Sequence, residues 1–293
     1  MKNNKDSISN NNSTIVIITR ELKSKDLIFE SILRSKGLTL LQHKVIDLVK
    51  DEHQINKVIE LILTSRYDYI LFMSSSAVRF ITEGLRSMGM EPNIINRVCI
   101  VIAIGPSTRS ELLSNGVRVD LMPNRYSSYG ILEMFKGMKC YGKSILIPRS
   151  RDASNILADG LRALGMSVNE EHIYKVVPSM HEGWGKIARI ICNNEVRGDV
   201  YASNSRSGVS FIIFTSSSIV DIFFTVLKGY VDERKDVIKV IKDNNVRCIA
   251  IGPLTYKALL RHGLNAIVAD EHTIAGTFKL LLNLLNNNVG NVR

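Results

Sequence analysis

The chain has 293 residues, of which 45% are hydrophobic and 23% are charged, and it carries a formal net charge of +10 at pH 7. This length and composition are typical of a globular protein with about two domains. The positive charge favours a polyanionic ligand. The basic residues form no run and only 6% of residues are aromatic, so nucleic acid is not expected as a partner.

The four cysteines are scattered, and no two of them form a Cys-x-x-Cys pair. This spacing indicates neither a zinc site nor a disulfide framework. Dispersed thiols are typical of a reducing compartment, so we expect a cytoplasmic protein.

Residues 1–13 are rich in Asn, Ser and Lys, which predicts a disordered tail. The apolar run Ile15–Ile18 is too short for the core of a signal peptide. The longer run Val98–Ile104 has the length of a strand and cannot cross a bilayer. No membrane partner is therefore expected.

Six apolar runs predict parallel strands that are covered on both faces. In chain order they are Thr14–Ile18, Asp68–Met73, Val98–Ile104, Ser144–Pro148, Ser210–Thr215 and Val246–Ile251. Each is followed by a predicted helix that ends near a glycine, where a left-handed cap can form: Gly37, Gly89, Gly116, Gly165, Gly229 and Gly263. Further β-type stretches follow some of these glycines: Leu38–Leu48, Val117–Met122, Ser167–Val177 and Leu264–Ala269. The pattern predicts a three-layer α/β architecture.

Motifs recur along the chain in the same order and with nearly the same spacing. The first pair is Phe72-Met73-Ser74-Ser75-Ser76-Ala77-Val78 and Phe214-Thr215-Ser216-Ser217-Ser218-Ile219-Val220. The second pair is Ala103-Ile104-Gly105-Pro106-Ser107-Thr108 and Ala250-Ile251-Gly252-Pro253-Leu254-Thr255. A third similarity joins Ile18-Thr19-Arg20 to Ile147-Pro148-Arg149. The chain therefore contains two copies of one α/β design, and a ligand held between the copies is the natural hypothesis.

The repeated units sort into two domains. A central domain takes residues 50–170 in continuous sequence, and a discontinuous outer domain combines residues 14–40 with residues 179–285. Residues 41–49 and 171–178 are expected to be crossover strands. The predicted fold is α/β, with two interleaved flavodoxin-like parallel-sheet domains joined by a two-stranded crossover hinge. Within the outer domain, the segment from residue 179 to residue 209 is predicted to be a helix and an exposed loop.

The Ser/Thr-rich turns each lie after a predicted strand and before a predicted helix. There the free backbone N–H groups and the helix dipole attract anions, and hydroxyl groups add donors. One such turn is more often only an N-cap. Two copies at the carboxyl ends of strands, where open α/β sheets bind ligands, favour binding. The candidate binding residues are Ser74, Ser75, Ser76, Thr215, Ser216 and Ser217.

The two Gly-Pro turns place proline at the first helical position, which proline prefers. Gly105 and Gly252 let a ligand approach the backbone, and Thr108 and Thr255 follow within the first turn. A plain helix start is an equally good interpretation of each turn. All four residues are candidate ligand contacts.

Three further side chains are candidates because of their positions. Arg20 and Arg149 end strands at one sheet edge and could bind carboxylates in bidentate fashion, although a lone arginine there is more often only solvated. Tyr174 lies in the returning crossover, where packing is the more common role, yet its hydroxyl would face the space between the domains. No Ser-His-Asp arrangement, metal-ligand spacing or phosphate-binding loop is present in the sequence, so nucleophilic and metal catalysis are not expected.

The set of motifs resembles the uroporphyrinogen-III synthase family. The resemblance rests on the Phe-x-Ser-Ser-Ser-Ala-Val turn, Ile-Gly-Pro-x-Thr, Leu-Ile-Pro-Arg and the returning strand Ile173-Tyr174-Lys175-Val176. It covers the chain from about Ile15 to Leu285. Residues 1–13 and the polar loop at Ser203–Gly208 look like additions to the family pattern.

The resemblance implies an enzyme that cyclises hydroxymethylbilane, a linear tetrapyrrole with many carboxylates, by losing water and inverting ring D through a spiro intermediate. It implies no cofactor and no metal. We also expect a monomer in the cytoplasm. The resemblance also implies that Tyr174 donates a hydrogen bond to the leaving hydroxyl. Since an α/β fold alone does not imply this function, two alternatives stay open. One is a non-catalytic tetrapyrrole- or anion-binding module, and the other is a flavin binder.

Overall fold

The computed structural model describes residues 14–64, 67–180, 183–193, 209–231 and 236–289. The tail predicted at residues 1–13 and the polar loop predicted at Ser203–Gly208 lie outside the described residues. Among the described residues, no helix combines the length and the apolar composition needed to cross a membrane.

The described residues form ten strands in two sheets. The strands are β1 (Thr14–Ile18), β2 (Leu38–Gln42), β3 (Ile46–Lys50), β4 (Tyr69–Phe72), β5 (Ile100–Ala103), β6 (Ser144–Ser150), β7 (Ser167–Pro178), β8 (Val209–Phe214), β9 (Arg247–Ala250) and β10 (Ala266–Val268). All six strands predicted from apolar runs are present.

Twelve α-helices accompany these strands in the described residues. They are α1 (Ile28–Ser35), α2 (Glu52–Thr64), α3 (Ser75–Ser87), α4 (Ile95–Val98), α5 (Pro106–Ser114), α6 (Ser128–Lys136), α7 (Ile156–Ala163), α8 (Gly183–Asn193), α9 (Ser217–Lys228), α10 (Val237–Asp243), α11 (Pro253–Arg261) and α12 (Ile274–Val289).

The first sheet has the order β10-β9-β8-β1-β2, and its strand pairs are parallel. Strand β1 shows why both faces are covered. Ile15 and Ile17 belong to one buried apolar cluster, whereas Val16 and Ile18 belong to another. Since successive side chains of a strand point to opposite faces, the sheet separates two cores. The result is the three-layer arrangement that the continuous apolar runs predict.

The second sheet has the order β3-β7-β6-β4-β5. The pairs β4–β5, β4–β6 and β6–β7 are parallel. Strand β4 separates two cores in the same way, with Tyr69 and Leu71 in one cluster and Ile70 and Phe72 in the other.

The two sheets repeat one strand order. In the first, the strand before the Gly-Pro turn lies beside the strand before the Ser-rich turn, which lies beside the strand that precedes Arg20. The second sheet has the corresponding order β5-β4-β6, with Arg149 at the carboxyl end of β6. The spatial order therefore follows the three kinds of unit that the sequence repeats predict.

The chain divides into two compact units. Unit 1 takes the described residues of Met1–Asp47 and Pro178–Arg293, and unit 2 takes Leu48–Val177. The predicted assignment of residues 41–49 and 171–178 as crossover strands stays a prediction.

Three local predictions are wrong. Of the predicted β-type stretch Val117–Met122, only Leu121 pairs with a strand, as an isolated bridge to Ile102. Val98 ends a helix, because α4 occupies the first position assigned to a strand. Gly229 has a φ of −72°, whereas the other five predicted capping glycines have positive φ. The α9 cap is right-handed and does not require glycine.

Candidate functional site

The predicted site residues of unit 2 lie along the carboxyl edge of its sheet. Phe72, the last residue of β4, is in register with Ala103, the last residue of β5. The Ser-rich turn therefore begins beside the Gly-Pro turn. The two are linked directly, because the hydroxyls of Ser75 and Ser107 lie 3.0 Å apart.

Ser74 begins α3. Its backbone is extended, and its side-chain oxygen accepts a hydrogen bond of 3.1 Å from the N–H of Ala77. This N-cap satisfies one free N–H of the first turn. Ser75 and Ser76, the first two helical residues, are half-buried. The turn is an N-cap, as the alternative interpretation proposed, and it also meets a functional candidate.

That candidate is Tyr174, whose hydroxyl lies 3.0 Å from the side-chain oxygen of Ser74. Tyr174 is a buried residue of β7, in register with Ser150 of β6. Its ring meets the ring of Phe80 edge-to-face, with the centroids 5.5 Å apart. Packing and register together hold this phenol at the Ser-rich turn.

Burial raises the pKa of Tyr174 above its usual value of 10.0. The hydrogen bond with Ser74 and the charge of Arg149 oppose this rise, while Asp152 adds to it. Desolvation disfavours the phenolate. The hydroxyl is therefore a hydrogen-bond donor at neutral pH.

Arg149 is buried, and its guanidinium is already engaged. It pairs with Glu170 and donates to the carbonyl oxygen of Ser154 at 3.0 Å. Its Nε has no hydrogen-bond partner among the described residues. The sequence indicated an arginine that is either solvated or free to bind a ligand carboxylate. In the structure, Arg149 is paired with the carboxylate of Glu170.

Gly105 packs under an aromatic ring. A Cβ at this position would lie 3.1 Å from Cγ of Tyr126, so the ring occupies the space beside this backbone. Thr108, in the first turn of α5, is 3% exposed. Its hydroxyl makes no hydrogen bond to any described residue.

The corresponding turns of unit 1 lie along the carboxyl edge of the other sheet. Phe214 of β8 is in register with Ala250 of β9. Ser216 caps α9 by accepting a hydrogen bond of 3.3 Å from the N–H of Ile219. The neighbouring Thr215 and Ser217 are half-buried.

The Gly-Pro turn of unit 1 repeats the arrangement found in unit 2. A Cβ on Gly252 would lie 3.3 Å from Cγ of His272. Thr255 is also 3% exposed, and its hydroxyl has no hydrogen-bond partner in the described part of the chain. Both threonines therefore have a hydroxyl that is free to bond to a ligand.

Arg20 differs from Arg149. It follows β1, is half-buried, and its Nε donates only to the neighbouring carbonyl of Glu21 at 3.2 Å. Its charge remains available to a ligand. Strand β2 corresponds to β7 in the strand order, but β2 ends at Gln42, in register with Ile18, whereas β7 continues past Tyr174 to Pro178. Residues 38–47 contain no tyrosine, so unit 1 has no counterpart of Tyr174 in or directly after β2.

Sequence reasoning missed one loop in each unit. Ser127 caps α6 by accepting from the N–H of Gly130 at 3.1 Å, and Thr273 accepts from the N–H of Gly276 at 3.0 Å. These loops carry the rings that cover Gly105 and Gly252. The sequence signal was a Ser/Thr-x-x-Gly pattern whose two copies are separated by nearly the same number of residues as the two Gly-Pro turns. A pattern of four residues is too short to identify a loop by itself.

Further chemistry is limited by the state of two cysteines and, in the described part of the chain, by the absence of a metal-binding cluster. Burial raises the pKa of the Cys99 and Cys248 thiols to about 12, so neither is a thiolate nucleophile. Among the described residues, no cluster of His, Cys, Asp and Glu could hold a metal ion. The edges provide hydroxyl groups, N–H groups and the phenols of Tyr174 and Tyr126, which suits anion binding and hydrogen-bond donation.

Comparison with known proteins agrees with this chemistry. A model of the family described as uroporphyrinogen-III synthase HemD matches residues 29–279. A putative uroporphyrinogen-III synthase of Methanothermobacter thermautotrophicus is 28% identical over 208 residues, which cover 71% of this chain and 74% of that protein. One of Methanocaldococcus jannaschii is 26% identical over 276 residues, covering 92% of this chain and 98% of that protein.

Solved structures show the same fold. A mutant uroporphyrinogen III synthase of Thermus thermophilus aligns with a TM-score of 0.64 and 15% identity, covering 94% of this chain and 100% of that chain. The synthetase of Helicobacter pylori aligns with a TM-score of 0.55 and 16% identity, covering 93% of this chain and 99% of that chain. These findings favour the enzyme over a non-catalytic binding module. The chain belongs to the uroporphyrinogen-III synthase family, enzymes of tetrapyrrole biosynthesis that act on hydroxymethylbilane.

Proposed function

We propose that the carboxyl edges of both sheets bind the carboxylates of hydroxymethylbilane and that Tyr174 donates a hydrogen bond to the hydroxyl that leaves. The observation that carries the proposal is the 3.0 Å contact between the hydroxyls of Tyr174 and Ser74. It joins the buried phenol of Tyr174 to a turn that begins a helix. A donor and an anion-holding helix start are thereby brought together.

The chemistry requires little from the protein at the leaving group. The pyrrole nitrogen pushes the hydroxyl out, so a hydrogen bond to the departing oxygen is sufficient help. The harder task is conformational, because hydroxymethylbilane closes by itself to the unrotated isomer. The enzyme must hold the terminal rings in the geometry for spiro attack.

Ser74 supports the donor role of Tyr174. The Ser74 oxygen already accepts from Ala77 N–H, and its own proton can go to the Tyr174 oxygen. Tyr174 then keeps its O–H for the substrate. Raising the pKa of Tyr174 by burial keeps that proton in place.

Carboxylate binding is assigned to the helix starts. Helices α3, α5, α9 and α11 each begin at the carboxyl edge of a sheet, where their free N–H groups and dipoles favour anions. Ser75, Ser76, Thr108, Thr215, Ser217 and Thr255 add hydroxyl donors, and Arg20 adds a charge. The net charge of +10 attracts the polyanion.

We further propose that the enzyme acts as a monomer in the cytoplasm, without a nucleic-acid or membrane partner. One chain supplies both sets of turns, so the chemistry needs no second subunit. Light scattering that gives the mass of one chain at micromolar concentration would support the monomer. A dimer mass would contradict it.

The Tyr174→Phe variant tests the donor role. We expect turnover to fall about tenfold or more with little change in stability, because the ring still packs on Phe80 and Ser74 still caps α3. Tyr67→Phe is the matched control. It removes a hydroxyl that accepts from Asn169 at 2.8 Å before β4, at the opposite end of the sheet, and should keep full turnover. Full activity in Tyr174→Phe would remove the donor role and leave the family assignment standing.

A further inference from the structure

Two loops of the described chain share one architecture although few of their residues are alike. We call residues 125–130 and 271–276 the ring loops. In unit 2, Ser127 N–H donates to the carbonyl of Arg125 at 2.8 Å, and in unit 1 Thr273 N–H donates to the carbonyl of Glu271 at 2.7 Å. The same main-chain turn therefore precedes α6 and α12.

A glycine is required at the same place in both ring loops. A Cβ on Gly130 would lie 1.9 Å from the carbonyl oxygen of Arg125, and one on Gly276 would lie 2.1 Å from that of Glu271. The loop passes too close to the first helical turn for any side chain. The path of the backbone is thus fixed in each unit.

An ion pair ties each ring loop to its helix, with the charges exchanged. Arg125 lies 3.1 Å from Glu133 in unit 2, whereas Glu271 lies 3.1 Å from Lys279 in unit 1. These pairs are exposed and contribute little stability. The loop residue of the pair is positive in unit 2 and negative in unit 1. A shared binding role of the two ring loops therefore cannot depend on this charge.

What they have in common is an exposed ring over a buried glycine. Tyr126 covers Gly105 and is 58% exposed. His272 covers Gly252 and is also exposed. Neither the Tyr126 hydroxyl nor the His272 ring nitrogens has a hydrogen-bond partner among the described residues. Tyrosine and histidine share one ability that phenylalanine lacks, which is to donate a hydrogen bond from the ring.

Each ring lies beside the glycine that precedes a helix, α5 in unit 2 and α11 in unit 1, and the start of a helix favours an anion. The first turns of α5 and α11 present free N–H groups. Thr108 and Thr255 there are each 3% exposed, with hydroxyls unpartnered among the described residues. In each unit the ring, the free N–H groups and the threonine hydroxyl thus belong to the same Gly-Pro turn.

We propose that Tyr126 and His272 are substrate-contacting residues, each donating a hydrogen bond to a carboxylate of the tetrapyrrole beside its Gly-Pro turn. This inference rests on the proposed function and adds one specificity residue in each unit. The carboxylate gains a charge-assisted hydrogen bond. The ring also closes one side of the turn, which limits the shape of the group that enters.

Tyr126→Phe and His272→Phe keep a ring over the glycine and remove its donor. We expect each to raise the KM for hydroxymethylbilane about threefold to tenfold, the loss typical of one hydrogen bond, with kcat and the isomer ratio unchanged. The Kd for uroporphyrin III, measured by fluorescence titration, should weaken by the same factor. This second readout does not depend on turnover.

The exchange variants Tyr126→His and His272→Tyr are the matched rescue. Each puts into one unit the donor that the other unit already uses, so KM and Kd should stay within about twofold of the wild type. Tyr141→Phe is the control for an exposed tyrosine before β6, away from the carboxyl edge. It should change neither value.

Wild-type turnover separates the two ways in which the inference can fail. If the wild type forms isomer III while both phenylalanine variants keep the wild-type KM and Kd, the ring donors are wrong and the proposed function stands. If the wild type forms only isomer I at the uncatalysed rate, the proposed function fails and the inference falls with it.

Discussion

Tyr174 is a phenol kept out of water, and its pKa decides the pH range in which it can donate. We expect the titration midpoint of Tyr174 to lie above 10.0, because burial raises its pKa. The wild type minus Tyr174→Phe difference in the ultraviolet titration of tyrosinate measures this midpoint. A midpoint below 10 would contradict the account.

The sign of the linked stability follows from the same shift. A tyrosine of the unfolded chain titrates near pH 10, so the unfolded state loses its proton first. The stability contributed by Tyr174 is therefore fully present below that pH and is lost as pH rises through the folded-state pKa. Since the Ser74 hydrogen bond lowers the pKa of Tyr174, Ser74→Ala should raise it further.

Thr255 and Thr19 are both buried threonines, but their hydroxyls have different surroundings. Thr19 donates to the carbonyl of Ile213 at 3.0 Å, whereas Thr255 has no partner among the described residues. Thr19→Val should therefore lower the free energy of unfolding by about 1 kcal/mol, and Thr255→Val should not. Thr255→Ala should instead weaken substrate binding, by about 1–2 kcal/mol. Denaturant titrations and KM values check this division, and a stability loss in Thr255→Val would contradict it.

Single residues also show the limit of prediction from sequence. The repeat places Ser74 and Ser216 at equivalent turns, and both are N-caps. The sequence places Arg20 and Arg149 at equivalent strand ends, yet only Arg149 is buried against an acid. Glu170 lies across the β6–β7 pair, a contact that depends on strand register, which the motif does not contain.

At the scale of elements, each ring loop places a ring against the glycine of a Gly-Pro turn. Gly130→Ala forces a Cβ against the Arg125 carbonyl, so the loop must move. We expect a loss of about 1–3 kcal/mol of stability, as for other overpacked sites, and a higher KM because Tyr126 moves with the loop.

Gly137→Ala, at the other end of α6, is the matched control for that loss. A Cβ there would lie 3.5 Å from the nearest atom, which is ordinary contact, and φ is −82°. Thermal melts should show no destabilisation. Equal melting temperatures for Gly130→Ala and the wild type would show that the loop is not constrained as described.

Elements with continuous apolar runs were predicted well because burial on both faces leaves a composition that can be recognised. All six such strands are present, with ends shifted by at most two residues at either side. The stretch Val117–Met122 instead alternates apolar and polar residues, and it forms only a bridge. The ring loops were missed because what they share is the path of the backbone. In the sequence, this path requires only a glycine and a residue with a short hydroxyl side chain.

At the scale of the whole molecule, two sheets repeat one strand order, and each sheet has its own set of helix starts at its carboxyl edge. The copies are not equivalent, because unit 2 has Tyr174 in β7 and unit 1 has no tyrosine in or directly after β2, the corresponding strand. We therefore propose carboxylate binding for both units and donation to the leaving hydroxyl for unit 2. On this proposal, the duplication lets one short motif set hold a substrate with many like groups.

The most direct test supplies the purified protein with fresh hydroxymethylbilane, without added metal or cofactor, and identifies the uroporphyrin isomer after oxidation. We expect isomer III, formed faster than the spontaneous closure, because the protein must hold the terminal rings for spiro attack. Isomer I alone, formed at the uncatalysed rate, would contradict the account.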